Sequence, residues 1–451
     1  MRIVLVSSEG GARQLAEELS RQDDVSILHA GPEGRDELEK LDVKVLAGEG
    51  NDADALRRAG AERADYLVAC SRNDEMNLLA CLTGRQLGAV KTICFVSKEE
   101  YARTLGAHDG HGSTGAPALG IDHLVWPARM LADKIEKILT VPGAVDAGRF
   151  AQGRVALLEY RLEAGGPLAG RPLASMGSLP PGVLVAGVRR GDEWFVPRGQ
   201  SVLHAGDRAL FMGRSEAMHQ LAGFFADLRG EARTHDVVIV GGGTVGVRLA
   251  RSLEANPKAR IKMIEKSVER CAAAAQALTR ALVLQGDGCD LDLLEDEGVR
   301  HAGALVAVTD SDEKNLLASL LGRQLGVPKV ITRVSSAANR RLFEKVGIDV
   351  PLSARAEANE AVLHLIRHRE ADLLATIGQG AGEVLEITLP QKFTPTPLKD
   401  VPLPADALVA AVLRGGEVVV PGGATLLGPD DHCLVICRVE RVADVLKVLL
   451  H

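Results

Sequence analysis

Aromatic residues are scarce: two Trp, three Tyr and eight Phe stand among 451 residues. The cores must therefore be built from Val, Leu, Ile and Ala, the usual filling of parallel sheets covered on both faces. No apolar run reaches the ~18–20 residues that span a bilayer. Met1 leads directly into strand-like RIVLV, which leaves no room for a signal peptide, so a cytosolic location is expected. Positive charge is not in excess. Lys and Arg number 53 against 60 Asp and Glu, a net charge of −7, which argues against nucleic acid as a partner. The seven cysteines include no C-x-x-C pair. Cys433 and Cys437 share one face of an expected strand, too far apart to bond each other. Reduced, buried thiols are expected.

Signals for catalysis are also missing. None of Tyr66, Tyr101 and Tyr160 has a lysine four residues on, so the Tyr-x-x-x-Lys pair of short-chain reductases is absent. No G-x-x-x-x-G-K-S/T stretch supports P-loop hydrolysis. Glu360, His364 and His368 share a helix face at four-residue spacing, but no further metal ligand accompanies them. A solvated or interface-facing stripe is the expectation. His108 and His111 lie in a polar, glycine-rich loop and are expected to be exposed.

What is present is a duplication. NLLACLTGRQLG (77–88) and NLLASLLGRQLG (315–326) agree at ten of twelve positions. GEGNDADALRRAG (48–60) parallels GDGCDLDLLEDEG (286–298) at the same offset. A second pair follows: VLVAGVRRGDEWFVPRGQSVLHAGDRALFM (183–212) and ALVAAVLRGGEVVVPGGATLLGPDDHCLVI (407–436) alternate β-rich runs with glycine turns. The order is A–B–A′–B′. Domains are expected at 1–140, 150–227, 234–370 and 380–451. LTVPGAVDAGRFAQG, FFADLRGEARTH and ATIGQGAGEV read as the linkers. Within A′, strands alternate with helices, the pattern of βαβ units and a doubly wound parallel sheet. The helix from Ala354 to Arg369 closes that unit.

The glycine turn suggests the chemistry. In VVIVGGGTVGVRLA (237–250) an apolar strand runs into Gly241, Gly243 and Gly246, and a helix follows. Gly241 permits a tight turn, Gly243 lets a pyrophosphate approach the backbone, and Gly246 lets helix and sheet pack closely. Amides at the helix start, at Thr244 and Val245, attract phosphate. Glu265 ends the second strand 19 residues past Gly246 and can accept ribose hydroxyls. It would repel a 2′-phosphate, so NAD or an adenosine nucleotide fits better than NADP. Lys266, Asp287 and Gly288 flank the expected adenosine end. Thr309 and Asp310 end the fourth strand over the switch-point crevice, where they line the site or cap the next helix.

The first copy, IVLVSSEGGARQLA (3–16), has Ser7, Glu9 and Ala12 at the three glycine positions. His29 stands for Glu265 and Arg72 for Asp310. A Glu9 carboxylate near a pyrophosphate would cost several kcal/mol in a low-dielectric cleft. Ordinary dinucleotide binding is expected to be lost, although His29 and Arg72 could serve another anion.

VGGGTVGVRLA, QGDG, VAVTDSDEKNLLASLLGRQLG and VITRVSSAANRRLFEKVGIDV resemble RCK-N segments, and VLRGGEVVVPGGATLLGPDDHCLVI resembles an RCK-C segment. The whole arrangement is similar to the TrkA family, peripheral subunits of Trk-type potassium uptake systems. The resemblance implies two doubly wound Rossmann-like RCK-N domains, each followed by a small β-rich α+β RCK-C domain. It implies binding of NAD(H) or ATP/ADP, a homo-oligomeric dimer or tetramer ring, and a membrane potassium-translocating partner of TrkH/TrkG type. It also implies that the helices at 126–140 and 354–369 are crossover helices, and that Arg333 reaches a phosphate in its own or a neighbouring subunit. The expected function is a non-enzymatic regulator at the inner face of the membrane. The alternatives are an NAD-dependent oxidoreductase and an RCK regulator of another cation transporter.

Overall fold

The computed structural model describes residues 1–8, 12–105, 116–141, 144–175, 179–191, 193–229, 236–366, 372–377 and 381–450. Contacts divide the chain into two compact units, Met1–Leu131 with Ser353–Ile366, and Ala132–Leu352 with Arg367–His451.

The first unit holds a six-stranded parallel sheet. Its strands are β1 (Arg2–Ser8), β2 (Asp24–Ala30), β3 (Lys44–Ala47), β4 (Tyr66–Ala69), β5 (Lys91–Phe95) and β6 (His123–Val125). They lie in the order β3-β2-β1-β4-β5-β6, the doubly wound order that places a crevice between the first and fourth strands. Five consecutive residues of β1, Ile3 to Ser7, are buried, as a strand covered on both faces requires. Between the strands run α1 (Arg13–Ser20), α2 (Arg35–Leu38), α3 (Ala53–Ala59), α4 (Asp74–Leu87) and α5 (Glu99–Thr104). A sixth helix, α6 (Pro127–Leu139), starts in the first unit and ends in the second.

The second unit begins with an antiparallel sheet of β7 (Asp146–Phe150), β8 (Val155–Arg161), β9 (Val183–Arg190), β10 (Glu193–Phe195) and β11 (Arg208–Arg214), followed by α7 (Ser215–Arg229). The strand order is β10-β9-β11-β8-β7. Several of the few aromatics gather here. Tyr160 stacks on Phe225 at 3.9 Å, and Phe211 meets both rings edge-on.

A second parallel sheet follows: β12 (Asp236–Val240), β13 (Arg260–Glu265), β14 (Leu282–Gln285), β15 (Ala304–Ala307), β16 (Lys329–Arg333) and β17 (Val350–Leu352). Its order, β14-β13-β12-β15-β16-β17, repeats that of the first sheet. Its helices are α8 (Thr244–Leu253), α9 (Val268–Ala277), α10 (Leu291–Asp296), α11 (Asp312–Gln324) and α12 (Ala337–Lys345), and α13 (Ala354–Ile366) comes next. The chain closes with β18 (Asp372–Ile377), β19 (Gly382–Thr388), β20 (Thr396–Pro397), β21 (Ala407–Arg414), β22 (Glu417–Val419), β23 (Leu426–Leu427), β24 (His432–Arg438) and α14 (Val442–Leu450). The sheet β18-β19-β24-β21-β22 matches the first antiparallel sheet in topology, and β20 pairs with β23 apart from it.

Three stretches expected to be linkers carry structure. Residues 146–150 form β7, α7 runs on to Arg229, and β18 covers 372–377. β7 and β18 are edge strands. An edge strand draws stability from backbone pairing, so Asp146–Phe150 needs no apolar alternation to belong to the sheet.

The helix α13 packs on the first repeat, although its position in the chain assigns it to the second. Ala358, Val362, Leu363 and Ile366 join the cluster of Leu15, Leu19 and Ile27, and Leu365 O accepts from Tyr66 Oη at 3.1 Å. In turn, the end of α6 belongs to the second unit. There the buried Lys329 ammonium donates to Ile138 O at 3.0 Å and Val141 O at 2.6 Å, closing a helix C-terminus with a positive charge.

The two antiparallel sheets each hold the same polar bolt. Arg190 meets buried Asp207, and Arg414 meets buried Asp431, each through two hydrogen bonds of 2.6–2.9 Å. The same carboxylates also accept backbone amides of His204 and Gly428. All seven cysteines are free. Cys271 and Cys289 are half-buried rather than buried, and burial pushes the Cys433 and Cys437 thiols up to about 12. No described helix is long and apolar enough to cross a membrane.

Candidate nucleotide-binding site

The crevice of the second parallel sheet opens where β12 ends. Gly241 takes φ +113°, and its amide donates to Ile264 O at 2.9 Å. A Cβ there would lie 3.0 Å from Thr309 N, so the turn needs glycine for both conformation and space. Gly246 is tighter still: a Cβ would sit 2.0 Å from Gly241 O. Helix α8 therefore starts directly against the turn that precedes it.

Gly243 is different. It precedes α8 with φ −79° and ψ −173°, ordinary extended backbone, and a Cβ on it would meet nothing within 4 Å. No side chain caps α8. Thr244 is exposed and Val245 buried. The opening amides of a helix have no partner within it, and the dipole makes this end attractive to anions. The result is open space beside uncapped amides, which fits a phosphate.

Glu265 closes the turn on the β13 side. Its carboxylate is 4% exposed. Oε2 accepts Gly242 N at 2.7 Å, while Oε1 accepts Ser267 N at 2.8 Å and Arg270 Nη2 at 2.9 Å. Burial alone would raise its pKa. The two amides and the Arg270 guanidinium outweigh this and hold it below the usual carboxylate value. A carboxylate offers about four acceptor positions. Three are taken by these donors, and Oε2 carries only one of them. Glu265 thus holds the glycine turn as well as facing the crevice.

The remaining expected residues occupy the same edge of the sheet. Lys266 Nζ pairs with Asp287 Oδ2 at 2.8 Å beyond β14, which lowers the Asp287 pKa and raises that of Lys266. Gly288 is buried, and a Cβ there would lie 2.2 Å from Val240 Cγ1, so it packs the exit of β14 against β12. Thr309 is held by Asn315, whose Oδ1 accepts both its amide (2.8 Å) and its hydroxyl (2.7 Å). Ser311, not Asp310, caps α11, accepting Lys314 N at 3.2 Å. Asp310 instead pairs with Arg333 Nη1 at 2.7 Å. The structure thus gathers all twelve residues along the C-terminal edge of five strands.

Sequence reading missed Gly242, Arg270 and Asn315. The signal for Asn315 was a polar residue inside the most similar stretch of the repeat. Asn77, its counterpart, holds Ser71 in the same way, and both asparagines are fully buried.

The first copy keeps the parallel scaffold, and residues 9–11 of its turn lie outside the described residues. Its helix α1 is described from Arg13, with Ala12 as its cap residue. Ala12, buried, carries a Cβ at the position where Gly246 has none. Ser7 and His29 are buried, and His29 Nε2 lies 2.8 Å from Glu33 O. Nothing therefore corresponds to the Glu265 bond to Gly242. Phe95, buried, stands where Arg333 stands. Glu9, His108, His111 and His368 lie outside the described residues. Among the described residues no cluster of three or more His, Cys, Asp or Glu forms a metal site.

Residues 5–111 and 237–354 match the TrkA-N domain, and residues 157–226 and 385–450 match the TrkA-C domain. Trk system potassium uptake protein TrkA homolog 1 of Methanosarcina mazei is 33% identical, with 99% of each chain covered. The TrkA homolog of Archaeoglobus fulgidus is also 33% identical, covering 99% of this chain and all of that one. The Halomonas elongata TrkA is 30% identical over 99% and 98% of the two chains. Among solved structures, the GsuK RCK domain superposes with a TM-score of 0.62 at 18% identity, covering 99% of this chain and 94% of that one. A GsuK channel bound to NAD gives 0.61 at 18% identity, covering 99% and 78%. At that identity the likeness is one of fold.

Proposed function

The chain belongs to the TrkA family of potassium uptake proteins, and from that premise we propose that it is a nucleotide-binding regulatory subunit of a potassium transporter. The observation that carries this reading is the uncapped start of α8 beside open space at Gly243, with Glu265 at the adjacent strand end. Amides of Gly243, Thr244 and Val245 would hold a diphosphate, and the free position on Glu265 would orient a ribose. Thr309, Asp310 and Arg333 would flank the distal half, and Lys266, Asp287 and Gly288 the adenosine half. The ligand class is NAD(H), with ATP or ADP as the mononucleotide alternative. A relative of the same fold solved with NAD supports the first.

The domains are read as RCK-N modules at 1–140, with an altered nucleotide site, and at 234–370, with the intact one, each followed by an RCK-C module at 150–227 and 380–451. The subunit works as part of a homo-oligomeric ring at the inner face of the membrane, docked on a TrkH/TrkG-like translocating subunit. The ligand acts by population shift: it biases the ring by its difference in affinity for two ring states. A difference of about 1–3 kcal/mol changes the bias on the pore by about 5–150-fold. No catalytic step is required of the chain.

The test is a titration of the purified full chain with NAD, NADH, ATP and ADP, paired with nucleotide-dependent potassium flux through the co-purified transporter. Saturable binding lost in Gly243→Asp, together with loss of the flux response, supports the proposal. Turnover of NADH with a carbonyl substrate would sink it.

A further inference from the structure

Glu344, near the end of α12, sits between two arginines of the first antiparallel sheet. Its carboxylate lies 3.2 Å from Arg189 Nη2 on β9 and 3.2 Å from Arg208 Nη2 on β11. The three side chains are only 11–16% exposed. Burial would raise the Glu344 pKa, and Arg208 and Arg189 bring it below the usual value, so the group stays ionised. Arg208 also donates to Asp349 O at 3.0 Å, just beyond α12, and Arg161 of β8 approaches the Asp349 carboxylate at 3.6 Å. Two strands thus hold the end of the helix, and a third holds Asp349 just beyond it.

The other end of α12 is tied to the crevice. Asp312 follows the Asp310–Arg333 pair by two residues. It accepts Ser335 N at 3.0 Å and Ser335 Oγ at 2.8 Å, and it also accepts from Asn339 Nδ2 on α12. Ser336 caps the helix. Within α12, Asn339 and Glu344 are five residues apart, about 7.5 Å along the axis.

We propose that α12 is a coupling strut, carrying a ligand-dependent change at Asp310–Arg333 to the sheet of β8, β9 and β11 through Glu344. The proposal rests on the nucleotide reading above and adds the route to it. Buried ion pairs suit the role. They have strong directional preferences, and a half-broken pair is costly, so the helix end holds one seat rather than a range of them. Arg340, also on α12, keeps a buried Nε without a hydrogen-bond partner beside this cluster, which leaves it a donor for an alternative seat.

Hydrogen exchange by mass spectrometry on the full chain, with and without NAD or ATP, tests the strut. In the unaltered protein the nucleotide is expected to slow exchange at 241–246 and also at 183–190 and 208–214. Glu344→Gln should still bind nucleotide saturably, with any change in affinity no larger than the coupling itself, about 5–150-fold. It should retain protection at 241–246 and lose the response in the two strands. Asn339→Ala, at the exposed end, should give the same separation and serves if Glu344→Gln folds poorly. Strand protection that survives both substitutions would overturn the strut, as would its absence in an unaltered chain that binds nucleotide. A chain that binds neither NAD nor ATP would bring down the nucleotide reading and the strut with it.

Discussion

Gly243→Asp separates folding from binding because the two effects have opposite signs. The backbone at Gly243 is extended and its Cβ direction is open, so an aspartate fits without strain. It also fills a vacant role, since α8 has no side-chain cap. Capping in place of glycine contributes a few tenths of a kcal/mol. The helix dipole adds about 0.3–1 kcal/mol. Stability should rise by about 1 kcal/mol, a Tm increase of roughly 1–2 °C for a unit of this size. Binding should move the other way. One carboxylate about 5 Å from one phosphate charge, at an effective dielectric of about 20, costs about 3 kcal/mol. That weakens affinity by about 200-fold. Differential scanning calorimetry and isothermal titration on the same preparation read both quantities. Unchanged nucleotide affinity would refute the placement of the phosphate. A lower Tm would refute the description of the turn.

Three further outcomes are expected. Gly246→Ala forces a Cβ into Gly241 O, a backbone atom that cannot swing aside, and should destabilise by about 1–3 kcal/mol in urea denaturation. Glu265→Gln removes a charge that holds three donors and should cost roughly 2 kcal/mol at neutral pH. Because the folded pKa of Glu265 is depressed, its contribution is complete above the unfolded value of about 4.3 and is lost as pH falls through the folded value. The Tm gap between the two proteins should therefore be flat from neutral pH down to about 5 and should close at lower pH. Ser7→Gly with Ala12→Gly should leave nucleotide stoichiometry at one per chain, because Phe95 and His29 still occupy the counterparts of Arg333 and Glu265. Two equivalents per chain in a titration would contradict this.

Much of the site was legible because its demands are local. A tight turn packed against the next strand excludes side chains at fixed positions, so Gly241 and Gly246 show as spacing. A strand that ends beside that turn places Glu265 by length alone. The choice between capping and ligand contact at Asp310 was not legible. Ser311 and Asp310 are equally good caps on paper; Ser311 takes the cap, and Asp310 turns to Arg333, one strand away. The edge strand β7, DAGRF, was missed because backbone pairing with β8 holds it without an apolar period in its own residues.

Duplication, strand and helix alternation, and the intact and altered glycine turns belong to the chain itself, because each is a pattern among near neighbours. Tertiary packing alone decided where α13 lies, since an apolar face of Ala358, Val362 and Ile366 fits any complementary sheet and names no partner. It alone brought Arg189, Arg208 and Glu344 together from segments more than a hundred residues apart. A charge shows its sign in sequence, but its neighbours are set only when strands pair and helices dock.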